Sequence, residues 1–181
     1  MKAWLILIIL LLPISTTWAD TVKPEELSRE ELIKLGNAYY KGINGKSVDF
    51  SEAFKWFMKA AEKGSRNAQF NVGKLYEEGK GIQQNDKQAF YWYKKSADQG
   101  RSVSQFNIGW AYSNGTGVEK NEKQAFFWYQ KAADQNYSSS QYRLGNIYKN
   151  GTGVEKNEKQ ALYWYQKAAE QGHKWAQNSL A

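Results

Sequence analysis

The chain contains the stretch Gly115-Thr-Gly-Val-Glu-Lys-Asn-Glu-Lys-Gln-Ala125, and the same letters return 36 residues later as Gly151 to Ala161. Single residues keep that interval across most of the chain. Tryptophan recurs at Trp56, Trp92, Trp128 and Trp164, and glycine at Gly73, Gly109 and Gly145. A period of this length is typical of stacked helical units rather than of one central core. It predicts a repeat scaffold with an extended surface that holds another molecule.

The first half of each period has the pattern of an amphipathic helix. Its apolar residues return at helical spacing, as at Phe106, Ile108, Gly109, Ala111 and Tyr112. Glycine recurs in the middle of this helix, although it costs about 1 kcal/mol there relative to alanine. These glycines are Gly36, Gly73, Gly109 and Gly145. We expect them to let a partner helix approach closely.

The second half of each period predicts another helix, which starts at a capping pair and ends at a residue that tolerates positive φ. The pairs are Asp49–Glu52, Asn85–Gln88, Asn121–Gln124 and Asn157–Gln160, each an N-cap side chain with its N3 partner. The ends fall at Gly64, Gly100, Asn136 and Gly172. A glycine turn such as Gly115-Thr-Gly117 separates the two helices. Large aromatic residues opposite alanines, such as Trp56 and Ala60, predict the packed side.

These residues resemble the Sel1-like repeat family, a relative of the tetratricopeptide repeats. The resemblance rests on Leu144-Gly145-Asn-Ile-Tyr148, Gly151-Thr-Gly-Val154, Lys159-Gln-Ala161-Leu-Tyr-Trp164 and Lys167-Ala-Ala169-Glu-Gln-Gly172. It extends from about Glu30 to Gly172. It implies an all-α fold, a right-handed α/α solenoid of four Sel1-like helical hairpins. We place the hairpins at residues 29–64, 65–100, 101–136 and 137–172, with a C-terminal capping helix at 173–181.

The N-terminal residues have the composition of a cleavable export signal. Met1-Lys2 is a short positive end, Ala3 to Leu12 is apolar, and Thr17-Trp18-Ala19 offers the small residues that a signal peptidase reads. An uncleaved membrane anchor is the alternative, but the apolar run stops at Pro13, well short of about 20 residues. We expect a signal peptide at 1–19, a linker at 20–28, and a periplasmic or secreted protein with no stable membrane span after cleavage.

Reactive side chains are scarce in this sequence. It has no cysteine and a single histidine, His173, so nucleophilic triads and transition-metal sites lack residues. The net charge of +7 comes from lysines interspersed with acids, which is typical of a solvated surface and not of a nucleic-acid-binding stripe. We expect a monomer with no enzyme activity, no cofactor, no metal and no nucleic-acid partner.

The variable positions around the central glycine of the first helices are the candidate partner-binding residues. They are Trp110, Asn107, Lys74, Asn71, Arg143, Asn146, Lys149 and Tyr40. Trp110 stands out, because its slot is polar in the other periods and aromatic residues dominate interface hot spots. The alternative is that Trp110 covers a gap against a neighbouring helix.

A second series of residues lies next to the tryptophans of the second helices. Its members are Lys55, Tyr91, Phe127 and Tyr163. We expect this series to pack between repeats. If it is exposed instead, an apolar patch of that length would mark a second contact surface.

These features predict an exported, non-catalytic scaffold that binds another protein through its concave face. The resemblance implies protein–protein interaction, because family members act as adaptors in envelope assemblies, in signalling and in bacterium–host contact. The partner would then be an envelope component. The alternative is a periplasmic immunity protein that neutralises a secreted toxin such as a phospholipase effector. A binder or hydrolase of cell-wall glycans or peptides is a third hypothesis, but no paired carboxylates accompany the aromatic residues.

Overall fold

The structure is a computed structural model that describes residues 26–180. The predicted signal peptide and most of the predicted linker lie outside the described residues, as does Ala181. Within the described range every regular element is a helix, as predicted. The helices are α1 Arg29–Lys41, α2 Phe50–Glu62, α3 Arg66–Glu78, α4 Asp86–Asp98, α5 Ser102–Asn114, α6 Glu122–Asp134, α7 Ser138–Asn150, α8 Glu158–Glu170 and α9 Lys174–Leu180.

The predicted N-caps of the second helices are confirmed. The side chains of Asp49, Asn85, Asn121 and Asn157 each accept a hydrogen bond from the backbone N–H three residues further on. Helix α1 starts in the same way at Ser28, where the Glu31 carboxylate also accepts the Ser28 backbone N–H at 2.8 Å. Helices α5 and α7 begin after Arg101 and Tyr137, which make no side-chain cap bond. Local capping therefore sets where the second helices start.

The predicted ends of the second helices are confirmed as well. The φ angle is +85° at Gly64, +82° at Gly100, +65° at Asn136 and +80° at Gly172. Asparagine is the side-chain-bearing residue that most often adopts this left-handed conformation, so Asn136 serves the same purpose as the three glycines.

The second glycine of the interhelical turn allows a close backbone approach. Gly153 has a φ of +72°, and a Cβ built on it would lie 2.9 Å from the carbonyl carbon of Glu122, at the start of α6. Any side chain at this position would collide with the preceding hairpin. This contact explains why glycine returns at this place in the period.

The described residues divide into two compact units at Gln84 and Asn85: unit one ends at Gln84, and unit two begins at Asn85. In the described part of unit one, Phe57 of α2 is 1% exposed and packs under α1. A Cβ built at Gly36 would lie 2.5 Å from Cε1 of the Phe57 ring. Leu32, Val72 and Leu75 are also fully buried in this unit.

Unit two contains α4 to α9 and repeats this packing twice. A Cβ at Gly109 would lie 2.8 Å from Cδ1 of Tyr129, and a Cβ at Gly145 would overlap the ring of Tyr165. The mid-helix glycines therefore make room for an aromatic ring of the following helix, which confirms the predicted close approach. Their core neighbours include Ala125, Ala133, Leu144, Ile147 and Trp164.

A glutamine in each of the helices α3, α5, α7 and α9 joins that helix to the helix before it. In unit one the Gln69 amide donates to the carbonyl oxygen of Ala61 at 3.2 Å. In unit two the same bond runs from Gln105 to Ala97, from Gln141 to Ala133 and from Gln177 to Ala169. Each acceptor lies in the last turn of a helix, where carbonyl groups lack an intrahelical partner. We call this bond the glutamine joint.

Serines buried between α4, α5 and α7 show how the repeats differ. The hydroxyls of Ser96 and Ser104 are hydrogen-bonded at 2.7 Å, and both residues are fully buried. One period later, Ser140 is the residue equivalent to Ser104. The residue equivalent to Ser96 is Ala132, which has no hydroxyl. Among the described residues the Ser140 hydroxyl has no hydrogen-bond partner.

Helix α9 packs on α8 through Ala176, which is fully buried. His173 precedes the helix, and its Nδ1 accepts the backbone N–H of Ala176 at 3.3 Å. The single histidine thus caps the start of a helix. None of the helices in the described range is long and apolar enough to cross a membrane.

Candidate functional site

Three of the predicted partner-binding residues meet in unit one. Tyr40, Asn71 and Lys74 line a pocket of about 160 Å³ on α1 and α3, with the Phe57 ring behind them. The Lys74 ammonium lies 5.4 Å from the centre of the Tyr40 ring, a cation–π contact. It also lies 3.7 Å from the Glu78 carboxylate, which in turn pairs with Lys80 at 2.9 Å. The pocket therefore offers an aromatic wall, an amide and a partly neutralised ammonium.

Trp110, the residue singled out in the sequence, is 36% exposed on α5 in unit two. Its backbone carbonyl accepts the side-chain amide of Asn114 at 2.8 Å. The exposed part of the residue is accessible to another molecule. Both hypotheses about Trp110 stay predictions.

Asn146 stands in the slot of Trp110 one period later and already has a partner. The Tyr165 hydroxyl donates to the Asn146 side-chain oxygen at 2.7 Å, which ties α8 to α7. An indole ring cannot accept that bond, and in the preceding hairpin Tyr129 is hydrogen-bonded to Ser113 instead. Burial raises the pKa of Tyr129 to about 12, and burial also raises the pKa of Tyr165. Asn146 is therefore a packing residue as well as a surface one.

Arg143 lies in a second pocket, which belongs to unit two. The pocket has a volume of about 370 Å³ and is lined by Phe106, Ser139, Tyr142, Arg143, His173 and Trp175. The His173 ring stacks on Tyr142 with ring centres 4.8 Å apart, and Trp175 is 68% exposed. Of the other predicted residues, Asn107 is half-buried on α5 and Lys149 is exposed on α7.

Tyr142 and Trp175 were missing from the predicted site. Trp175 could have been found by the comparison that singled out Trp110, because its slot holds Asn67, Val103 and Ser139 in earlier periods. Tyr142 could not, because an aromatic residue recurs in its slot at Phe70 and Phe106 and has the pattern of a core position.

The second series of residues is exposed, so the expectation that it packs between repeats was wrong. Tyr91 is 47% exposed, Phe127 46% and Tyr163 44%, and Lys55 is also exposed. The tryptophans beside them are the buried residues, at 8% for Trp92 and 4% for Trp128. Adjacent helix positions point about 100° apart, so the tryptophan takes the core and its neighbour turns towards solvent.

Comparison with protein families matches four stretches of the chain to the Sel1 repeat, at residues 32–65, 66–100, 102–137 and 138–173. The matches span the helix pairs described above. Comparison with curated proteins gives no match.

Two solved structures share 35% sequence identity with this chain. A Sel1 repeat protein from Oxalobacter formigenes has a TM-score of 0.80, with 83% of this chain and 61% of that chain covered. A protective antigen of uropathogenic Escherichia coli with an SLR fold has a TM-score of 0.82, with 88% and 36% covered. The present chain thus spans less than two thirds of either relative. Helicobacter pylori cysteine rich protein B, at 24% identity and a TM-score of 0.52, shares the fold, with 63% of this chain and 95% of that chain covered. These matches confirm an all-α repeat solenoid.

Proposed function

Because the chain belongs to the Sel1 repeat family, we propose that it is a non-catalytic scaffold that binds another protein through the exposed faces of its first helices. The recurring residues hold the fold together: mid-helix glycines make room for aromatic rings, and the glutamine joints link successive hairpins. The residues that differ between periods are the ones left to select a partner.

Trp110 carries this proposal. The equivalent residues of the other periods are Asn37, Lys74 and Asn146, so Trp110 is the one large aromatic side chain at this position. More than a third of Trp110 is accessible to solvent. Tryptophan buried at an interface contributes large apolar area at a small cost in side-chain entropy, and it is enriched among hot spots. A partner that covers Trp110 therefore gains more from it than from the polar residues around it.

Each unit also offers a cation beside aromatic rings. In unit one this is Lys74 over Tyr40, and in unit two it is Arg143 beside Tyr142. Such pockets suit a partner with carboxylates next to apolar side chains, because charge-assisted hydrogen bonds and ring contacts can form together. Specificity would then come from these two pockets and affinity from Trp110.

We place this activity in the periplasm or outside the cell, on the basis of the export signal at residues 1–19. Mass spectrometry of the N-terminal peptide from the native host tests this placement. A mature chain that begins near Asp20 supports it, and an intact Met1 end in the cytoplasmic fraction contradicts it.

Site-specific photocrosslinking in the native host tests the binding face. A photoreactive residue at Lys149, which is exposed on α7, should capture a partner, whereas one at Glu62, which is exposed on α2, should not. The identity of the captured protein separates the roles: a resident envelope protein supports the adaptor, and a toxin supports the immunity protein.

The captured partner then allows Trp110 to be tested quantitatively. Trp110→Ala should weaken binding by about 2 kcal/mol, roughly thirtyfold in Kd, with the melting temperature nearly unchanged. Trp110→Phe is the matched control, because it keeps a ring in the same slot. Equal affinity of the alanine variant would refute the role of Trp110, and capture from Glu62 without capture from Lys149 would refute the proposed binding face.

A further inference from the structure

Unit two carries three aromatic residues on its second helices that each lie between two lysines. The sequences are Lys87-x-x-x-Tyr91-x-x-x-Lys95 on α4, Lys123-x-x-x-Phe127-x-x-x-Lys131 on α6 and Lys159-x-x-x-Tyr163-x-x-x-Lys167 on α8. Residues four apart lie on the same face of a helix. Each helix therefore shows solvent one ring with an ammonium group on either side. We call these three sets the lysine–aromatic rows.

The rings in the rows are held in place and remain accessible. Each packs edge-on against the tryptophan next to it, with ring centres 5.2 Å apart at Tyr91, 5.4 Å at Phe127 and 5.0 Å at Tyr163. The ammonium of the second lysine lies over the ring, at 4.8 Å for Lys95, 4.8 Å for Lys131 and 5.2 Å for Lys167. Little side-chain freedom is lost when a ligand contacts groups already ordered in this way.

The lysines of the rows lack acidic partners. Within residues 26–180 none of the six forms an ion pair, whereas six other lysines do. Asp86, Glu122 and Glu158 directly precede the first lysine of each row, and Glu122 and Glu158 pair with Lys120 at 3.3 Å and with Lys156 at 3.1 Å. Beyond the second lysine, Asp98 pairs with Lys94 at 2.7 Å and Asp134 accepts the Gln130 amide at 2.8 Å. The rows therefore present lysines without ion pairs beside exposed rings.

Unit one provides an internal comparison. The equivalent positions of α2 are Ser51, Lys55 and Lys59. Helix α2 therefore lacks both the aromatic ring and the first lysine of a row. Lys55 forms an ion pair with Glu52, and Lys59 lies over the buried Trp56 at 5.4 Å. The combination of rings and unpaired lysines is thus a property of unit two and does not follow from the repeat fold.

The geometry favours a polypeptide over other anions. The second lysine lies over one face of each ring, so a sugar or a nucleobase would compete with it for stacking there, whereas an aliphatic side chain can contact the rest of the exposed ring. The acids Asp98, Asp134 and Glu170 follow one turn beyond each row and would repel a continuous run of phosphates. Separate carboxylates with apolar side chains between them meet the lysines and the ring edges without that repulsion.

We propose that the lysine–aromatic rows of unit two bind an acidic polypeptide segment with apolar side chains between its carboxylates. This surface is separate from the first helices, so the protein would hold two partners, or two parts of one partner, at once. The first-helix face selects by Trp110, and the rows select by charge and ring contact.

A labelled synthetic peptide of Glu, Leu and Ala, with the glutamates one helical turn apart, is a suitable probe for fluorescence anisotropy. The full mature protein should bind it, and the triple variant Lys95→Gln, Lys131→Gln, Lys167→Gln should bind it at least about tenfold more weakly. The triple variant Lys120→Gln, Lys156→Gln, Lys174→Gln is the control, because it removes the same charge from exposed positions of unit two. If the two triple variants lost peptide affinity equally, the loss would be an effect of net charge alone, and the proposal would be overturned.

Further binding experiments test the contribution of the rings and the chemical class of the ligand. Tyr91→Ser, Phe127→Ser and Tyr163→Ser together should weaken peptide binding while helical content by circular dichroism stays unchanged, and Trp110→Ala should leave it unaffected. A Gln-for-Glu peptide should fail to bind. Tighter row-dependent binding to heparin or to phosphatidylglycerol vesicles than to the acidic peptide would overturn the assignment to a polypeptide.

Discussion

The mid-helix glycine is a residue at which the repeat should tolerate little change. At Gly109 even a Cβ would come within 2.8 Å of the Tyr129 ring. Gly109→Leu should therefore overpack the contact between α5 and α6 and lower the free energy of unfolding by about 1 to 3 kcal/mol. Urea denaturation measures the loss. Trp110→Leu, one residue further on, is the control, and an unchanged midpoint for the Gly109 variant would refute the packing explanation.

The buried serines give a prediction with opposite signs at equivalent positions. Ser104→Ala removes the buried 2.7 Å hydrogen bond between the Ser96 and Ser104 hydroxyls and should cost about 1 kcal/mol. Ser140→Ala removes a hydroxyl that has no partner among the described residues and should be neutral or stabilising. Thermal melts of the two variants under one condition make the comparison. If both variants lost stability equally, the serine pair would not be the cause.

Tyr129 should make stability fall at high pH. Its folded pKa of about 12 lies above the ordinary value of 10.0, because burial disfavours the phenolate. The folded state therefore holds this proton more tightly, so its contribution is complete below pH 10 and is lost as pH rises towards 12. Between pH 9 and pH 11 the loss from this group is about 1.4 kcal/mol. Urea unfolding at the two pH values should show a smaller loss in Tyr129→Phe, and Tyr91→Phe, an exposed ring, is the control.

At the level of the helix, stability should depend on the N-cap asparagines. Asn121 satisfies the backbone N–H of Gln124 at the start of α6 at 3.0 Å. Asn121→Ala should cost about 1 kcal/mol, and Asn121→Asp should cost much less because a carboxylate accepts the same bond. Chemical denaturation tests both, and an alanine variant as stable as the aspartate variant would argue against the cap.

Helices, caps and helix ends could be predicted from the sequence because they depend on local chemistry that repeats. An asparagine before an apolar run and a glycine after it have the same consequences in every period. The exposure of Tyr91, Phe127 and Tyr163 could not be predicted in this way. One position along a helix separates them from the buried tryptophans, and hydrophobic character alone does not say which neighbour faces the core.

The candidate site was predicted only in part, for a related reason. The comparison of slots found Tyr40, Asn71 and Lys74, which line one pocket, because these positions vary between periods. The comparison did not predict the hydrogen bond between Asn146 and Tyr165. Tyr165 lies on another helix, and the sequence spacing of the two residues does not indicate that they are in contact.

At the scale of the whole molecule, damage to one hairpin should stay near it. In repeat proteins each unit is stabilised by its sequence neighbours, so local unfolding spreads over short distances. Gly145→Leu should therefore speed amide hydrogen exchange in α7 and α8, and less strongly in α6 and α9, while exchange in α1 stays unchanged. Hydrogen-exchange mass spectrometry resolves these segments. A uniform increase along the chain would indicate one cooperative unit instead.

The glutamine joint makes the length of the protein adjustable by whole periods. The bond from Gln141 to Ala133 uses the same groups as the bond from Gln105 to Ala97, so a further copy of residues 101–136 placed after residue 136 would find the same donors and acceptors at both seams. A tandem duplication in the gene could therefore add a hairpin, and with it a new set of surface residues, in a single event. Natural selection can in this way enlarge the binding surface without redesigning the core.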